Sequence, residues 1–282
     1  MKIRQIELYV GPFVDTENTS TATALKLLST GASNDLSVSF VVVKTVDSTL
    51  NKAAVQVENL NRETESKFNQ ENLAIELRCG WIDSGTGILT IHKGGLKIID
   101  PQGDITRITS VDGAGASLFA VTNRSYSGQE SLEQVVTDLV SDMPSIKIGR
   151  LSLNGKIGFK GRNFSGKTTD QLNILAHQFG FTWSIQDGVF QAFMDSASTE
   201  KVYVFNDNTI EDIRPIRGAD GSLTGFAMRS YLDPRINPGD IIEINSVSRP
   251  QYNGRYLDTK HTMTGQSHGE EWSSVFEMIV RQ

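Results

Sequence analysis

Between Leu36 and Arg62 the sequence commits to a local fold with no help from the rest of the chain. Leu36–Lys44 (LSVSFVVVK) is a strand-like run, followed by a turn-like TVDSTL. Ala54-Val-Gln-Val-Glu58 then alternates apolar and polar side chains, the two-residue period of a half-buried strand. Asn59-Leu60-Asn61 stops it, and an Asn side-chain oxygen there can cap a short helix over RETESKF. The order is strand, turn, strand, short helix, and it contains no group fit for covalent chemistry.

The same texture extends on both sides. Ile3–Val10, Leu73–Gly80, Gly87–His92, Gly95–Asp100 and Asp104–Val111 read as further strands. Their spacing of about ten residues, with Gly and Asp between them, predicts an antiparallel barrel or sandwich. The stretch Asp15–Asp35 is rich in Ser, Thr, Asn and Gly and reads as a loop, with a possible helical turn from Thr23 to Leu28. The pattern changes at Ser131. Leu132, Val135, Val136, Leu139 and Val140 recur at helical spacing, Ser131 and Gln134 form a capping-box pattern, and Pro144 ends the run. A second helix is predicted over Asp170–Phe179, closed by Gly180, with a hairpin after it that turns at Gln186–Gly188. From Lys201 strands return, at Val202–Phe205, Gly225–Tyr231, Asp240–Asn245, Gly254–Thr262 and Trp272–Val280. The fold class is therefore mainly β with an α+β insertion, and 282 residues leave room for two or three domains.

A net charge of −6 argues against a protein built to grip phosphates, whereas an acidic channel lining would let DNA pass without sticking. The single cysteine, Cys79, excludes an internal disulfide and reads as a small buried side chain. MKIRQIELYVG lacks the apolar core of a signal peptide, and no window is long enough for a membrane-spanning helix. Production and retention in a reducing cytoplasm, or export inside a particle, is expected.

One segment matches a catalytic motif. Gly161-Arg-Asn-Phe-Ser-Gly166-Lys167-Thr168 fits the phosphate-loop pattern, in which backbone N–H groups wrap the phosphates, Lys167 reaches the outer ones and Thr168 holds magnesium. The preceding Lys156-Ile-Gly-Phe-Lys160 is a poor buried parallel strand, however, and Asp195 is a weak second magnesium ligand. On the structural reading Gly166 shapes a turn and Thr168 or Thr169 caps the helix. Of His92, His177, His261 and His268, none forms a metal-type pair; His261 and His268 flank a polar TMTGQS stretch read as a hairpin loop. Glu270 and Glu271 are adjacent and would point to opposite faces of a strand. Trp81, Trp183, Trp272, Phe181, Phe190 and Phe193 read as core rather than as a sugar platform, and the basic runs Lys147–Arg150 and Lys156–Arg162 as solvated faces. No catalytic, cofactor or metal residue is assigned.

Beyond these local readings, VVVKTVDSTLNKAAVQVENLNRET resembles the N-terminal signature of tailed-bacteriophage baseplate hub proteins, through Thr45, Asp47, Thr49, Asn51, Asn59 and Leu60. Looser matches follow at Leu77–Trp81, Ser110–Gly113, Phe181–Gly188 and Pro234–Gly239, so the resemblance spans nearly the whole chain in scattered pieces. It implies two tail-tube-like antiparallel β-barrel domains, residues 1–113 and 201–282, flanking a small α+β domain at 114–200. It further implies a homotrimer forming a pseudo-sixfold ring. That ring would join the tail tube protein or tube initiator to the central spike, among other baseplate proteins, with DNA passing through the lumen. Such a chain is a virion component assembled in the host cytoplasm, related to the hub portion of type VI secretion spikes. A phosphate-loop nucleotide-binding protein is the alternative.

Overall fold

The computed structural model describes residues 3–12, 25–32, 34–69, 73–82, 87–112, 119–128, 130–144, 146–153, 161–194 and 201–280. Its first region contains β1 (Arg4–Pro12), β2 (Leu25–Ser29), β3 (Val38–Thr45), β4 (Lys52–Glu58), α1 (Arg62–Ser66), β5 (Leu73–Trp81), β6 (Ile88–Gln102) and β7 (Ile105–Val111). The strands lie side by side in the order β3-β4-β7-β6-β5-β1-β2. Alternation decides which side chains face inward. Leu8, Leu27, Val42, Val55, Leu77, Ile91 and Ile108, one from each strand, meet in one core. Inward side chains of seven strands can share a core only if the sheet curls, as twisted strands do. The Asn61 Oδ1 accepts the Thr64 N–H at 2.7 Å and caps α1, as the sequence predicts.

The middle region has its own core. Here β8 (Val121–Tyr126), α2 (Leu132–Ser141), β9 (Lys147–Ser152), β10 (Arg162–Lys167), α3 (Thr168–Phe179), β11 (Phe181–Gln186) and β12 (Val189–Met194) follow one another. Strands β8 and β10 pair antiparallel; β11, β12 and β9 form a second small sheet, with β9 parallel to β12. Val135, Val136, Leu139 and Leu172 from the helices pack with Phe164, Trp183 and Phe190 from the strands. Ser131 Oγ accepts the Gln134 N–H at 3.1 Å, while the Gln134 side chain reaches Asp138 instead of completing the capping box. Gly180, at φ 67°, closes α3 in the left-handed conformation that glycine adopts without steric penalty.

The last region comprises β13 (Val202–Phe205), β14 (Ile210–Arg217), β15 (Leu223–Tyr231), β16 (Ile241–Ile244), β17 (Gly254–Gln266) and β18 (Trp272–Val280). Met228, Ile242, Phe276 and Met278 centre a third core. This region is not a separate barrel. Residues 254–257 of β17 pair with β16, and residues 260–266 of the same strand pair with β3. One thirteen-stranded sheet therefore runs through both β regions, open at β14 and at β2. The mainly β fold is as expected, and among the described residues the two tube-like β domains are not separate closed barrels but share one open sheet. Leu232, Met263 and Trp272 from the last region even belong to the first core.

Other expectations are revised for identifiable reasons. Thr262–Gln266, read as a loop, is the half of β17 that joins the regions. Gly87–His92 and Gly95–Asp100 are one strand, β6, because Gly94 sits where a Cβ would lie 2.5 Å from the Val111 carbonyl oxygen. The glycine there permits close approach of two backbones. Leu25–Ser29 is an edge strand, not a helical turn. Strand β14 escapes sequence reading because Pro215 and four charged residues break its pattern, features typical of an edge strand. Thr23, Gly113, Lys156–Lys160 and Asp195 lie outside the described residues.

Candidate functional site

Strand β3 carries Val38, Phe40 and Val42 on its inner face, and the two-residue period places Lys44 next in that row. Its side chain is 1% exposed. A buried ammonium must find partners, because losing hydration without compensation is prohibitive. Lys44 Nζ donates to Asp187 Oδ2 at 2.6 Å and to Asn237 Oδ1 at 3.1 Å. Asp187 belongs to the tip between β11 and β12, and Asn237 to the turn before β16, so one cation ties together all three regions.

The tip is held from other sides as well. Asp187 and Gly188 have φ values of 55° and 82°, the left-handed pair of a two-residue hairpin turn. Their N–H groups both donate to the carboxylate of Asp112, which follows β7 and is fully buried. Burial pushes the Asp112 carboxyl up to about 8, with the neighbouring charge of Asp187 acting in the same direction. Asn51 works from the opposite wall. Its Nδ2 donates to the Ile185 carbonyl at 2.9 Å and to Gln186 Oε1 at 2.8 Å, while its Oδ1 accepts the Thr45 N–H at 3.0 Å. Gln186 Nε2 returns a bond to the Thr45 carbonyl at 2.7 Å. Beside this, Asp47 Oδ1 accepts both the Thr45 hydroxyl and the Thr49 N–H, which shapes the β3–β4 turn. The hairpin tip of the middle region is thus a plug in a polar socket.

Four of the five segments that carry the resemblance converge here, while the fifth, Leu77–Trp81, ends β5 and packs in the first core. Thr45 and Asn51 form the socket wall, with Asp47 and Thr49 shaping the turn between them; Asp112 is the floor, Gln186–Gly188 the plug and Asn237 its third contact. Asn59 lies apart at the end of β4, in the left-handed conformation with φ 58°, and Leu60 packs against the first core. Sequence reading did not single out Lys44, Asp112 or Asn237 as partners. The signal was present for the first two. Lys44 continues the inward row of β3, and Asp112 continues Ile108 and Ser110 on β7.

The phosphate-loop pattern is built differently from a nucleotide site. Arg162–Lys167 is strand β10, with Asn163 opposite Ser125 and Gly166 opposite Thr122. A ladder directs alternate N–H groups to a neighbouring strand, whereas a phosphate loop turns successive N–H groups toward one point. Lys167, not a threonine, holds the position before α3, and no side chain caps that helix. Thr168 is fully buried and its hydroxyl has no partner. For Lys167→Ala we expect a stability change within about 0.5 kcal/mol by chemical denaturation, the range of ordinary surface substitutions, and unchanged assembly.

The histidines are placed separately. His92 Nε2 meets Ser110 Oγ at 2.9 Å, His261 lies between the Ile236 carbonyl and Ser274 Oγ, and His268 bonds Ser267 Oγ and the Ala32 carbonyl. Among the described residues no three metal-ligating side chains gather. Glu271 pairs with Arg229 at 2.8 Å. Burial pushes His92 down to about 4 and His261 down to about 3. A histidine held neutral in the fold but protonated when unfolded makes stability complete above its ordinary value of 6.5. That stability is lost as pH falls from there to about 4, where folded His92 also charges. His92→Gln should flatten this slope by on the order of 3 kcal/mol between neutral pH and pH 4, read from denaturation midpoints across pH.

No protein-family model matches this chain, and no curated protein matches it. Solved structures do. A tail protein from Neisseria meningitidis superposes with TM-score 0.66 at 8% identity, covering 98% of this chain and 96% of that one. The 43 kDa tail protein of prophage MuSo2 from Shewanella oneidensis gives 0.64 at 8% identity, covering 97% and 96%. The c3393 protein of E. coli is a type VI secretion component with structural similarity to the T4 bacteriophage tail proteins gp27 and gp5. It gives 0.63 at 12% identity, covering 89% and 76%. The chain has the fold of phage tail and type VI spike-related proteins, as the scattered sequence resemblance implies.

Proposed function

We propose that this chain is a structural baseplate hub of a phage tail. Three copies form a pseudo-sixfold ring that links the hexameric tail tube to the trimeric central spike. The three units, residues 1–113, 114–200 and 201–282, divide the work: the β regions contribute to the ring and the α+β unit stands at its periphery. The observation that carries this reading is the similarity, end to end, to tail proteins of two prophage or bacterial origins and to a type VI component. Its structural logic is the continuous sheet and the socket. A connector must transmit load without its parts sliding, and a shared sheet plus a plugged polar junction resists relative motion of the three cores. The partners on this reading are the tube protein or its initiator, the spike and neighbouring baseplate proteins. The protein assembles in the host cytoplasm and resides in the virion, and DNA crosses its acidic lumen without specific binding.

Co-expression with the tube and spike proteins of the same tail tests the proposal. A complex holding three copies of this chain per spike trimer is expected from its mass. A chain that stays free of both partners would contradict it.

A further inference from the structure

The bonds that tie the middle region to the β regions gather on four consecutive residues, Ile185–Gly188. Behind that tip, Trp183, Ile185 and Phe190 belong to the middle region's own core. Withdrawing the tip breaks directional polar bonds and leaves the apolar cores packed.

Inside the socket the charges do not balance. Lys44 is the one cation among the described residues whose side chain bonds the tip, and two acids face it, Asp187 from the tip and Asp112 from the floor. Asp187 Oδ2 takes the Lys44 bond, while its Oδ1 is buried without a partner. An ionised Asp112 adds a second anion where no second cation waits and water does not reach. The other walls bring no counter-charge. Asn51 of β4 and Asn237 before β16 are uncharged, and burial keeps Cys79 of β5, His92 of β6 and His261 of β17 neutral. On β9 the Lys147 N–H bonds the Gly188 carbonyl at 3.0 Å, but its side chain is exposed.

We propose that the hairpin tip is a releasable latch: Asp112 passes its proton to solvent as the tip withdraws, so that alkalinity frees the middle region from the β regions and acidity holds it seated. The sign follows from linkage. Burial, then the charge of Asp187, raises the seated Asp112 carboxyl from its ordinary 3.8 to about 8. Its contribution to the latch is complete below 3.8, falls as pH rises toward about 8, and is level above that. Every group involved lies in one chain, so the latch does not depend on the trimer.

Hydrogen exchange of the full chain, followed residue by residue by NMR, tests this, with each rate divided by that of an unstructured amide at the same pH. Between pH 6.5 and pH 7.5 the protection of the Asp187 and Gly188 amides should fall about tenfold in the wild type, the effect of one proton released per opening. His92 and His261 keep their bonds to Ser110 and Ser274 when the tip withdraws, so Asp112 alone sets the slope. Amides of β5 should stay better protected than the tip throughout. Asp112→Asn keeps an acceptor oxygen at the floor but has no carboxyl proton, and its tip protection should be flat over the same range. A wild-type tip without the slope, or a slope that survives Asp112→Asn, would overturn the latch. Equal protection of tip and β5 would do the same, since the tip would then open only with the whole fold. If the variant does not fold, the wild-type slope and the β5 comparison still decide.

Discussion

Lys44→Ala is expected to destabilise the protein by about 3–5 kcal/mol, the range for removing one partner of a buried ion pair. The loss is not mainly that of the attraction. Without the ammonium, Asp187 and the Asn237 side-chain amide oxygen lose their common donor, and Asp187 remains beside the buried carboxyl of Asp112. Two acids would then share a polar socket with no cation in it. The damage should also be regional. Hydrogen exchange in β11 and β12 should accelerate more than in β5 and β1, because the plug is released while the first core stays packed. Asp187→Asn should cost less than Lys44→Ala, since Asp187 is 24% exposed and an amide still accepts a bond from Lys44. Equal exchange rates in all regions would contradict the plug-and-socket description.

Asn51→Leu should be nearly as severe, at about 3 kcal/mol or more. The shapes are similar, so cavity formation contributes little. What changes is hydrogen bonding. The substitution strands the Thr45 N–H, the Ile185 carbonyl and one side of Gln186 in a buried place, and each unsatisfied group costs about 1–3 kcal/mol. Partial relaxation of Gln186 toward Thr45 and Ser184 keeps the sum below the largest estimate. Because Asn51 and Lys44 hold the same hairpin tip, their effects should be non-additive in a double variant. Urea denaturation of the two single variants and the double variant measures that coupling, and strict additivity would mean that the two residues do not share a socket.

Much of this architecture was legible in the chain because alternation and capping are local. The β3–turn–β4–α1 unit, α2, the Gly180 stop and the β11–β12 hairpin follow from residues close in sequence. Three kinds of element were not. Edge strand β14 carries a proline and four charged residues, and edge strand β2 is five residues long with adjacent Leu27 and Leu28 that break the two-residue alternation. The second half of β17 looks like a loop because Thr262, Thr264 and Gln266 lie half-buried outside the core, while Gly265 has no side chain to signal a strand and stands where a Cβ would meet the Phe40 ring. Sheet continuity across the two β regions then hides with it, since it depends on pairings more than two hundred residues apart. The junction was half visible. Its motif residues were recognised one segment at a time, but their convergence on Lys44 is a fact of three-dimensional packing.

The middle region has a core of its own. Val135, Leu139, Leu172 and Phe190 satisfy one another, so the unit needs its host only for position. The socket supplies that position through directional bonds rather than through apolar area.

A reconstruction of the intact tail particle by electron cryomicroscopy tests the central claim most directly. The expected map shows three copies of this fold in a ring where the tube meets the spike, each with its α+β unit outward and its hairpin tip seated against Lys44. A map in which that junction is occupied by other chains, with this fold absent from the particle or present as a single off-axis copy, would contradict it.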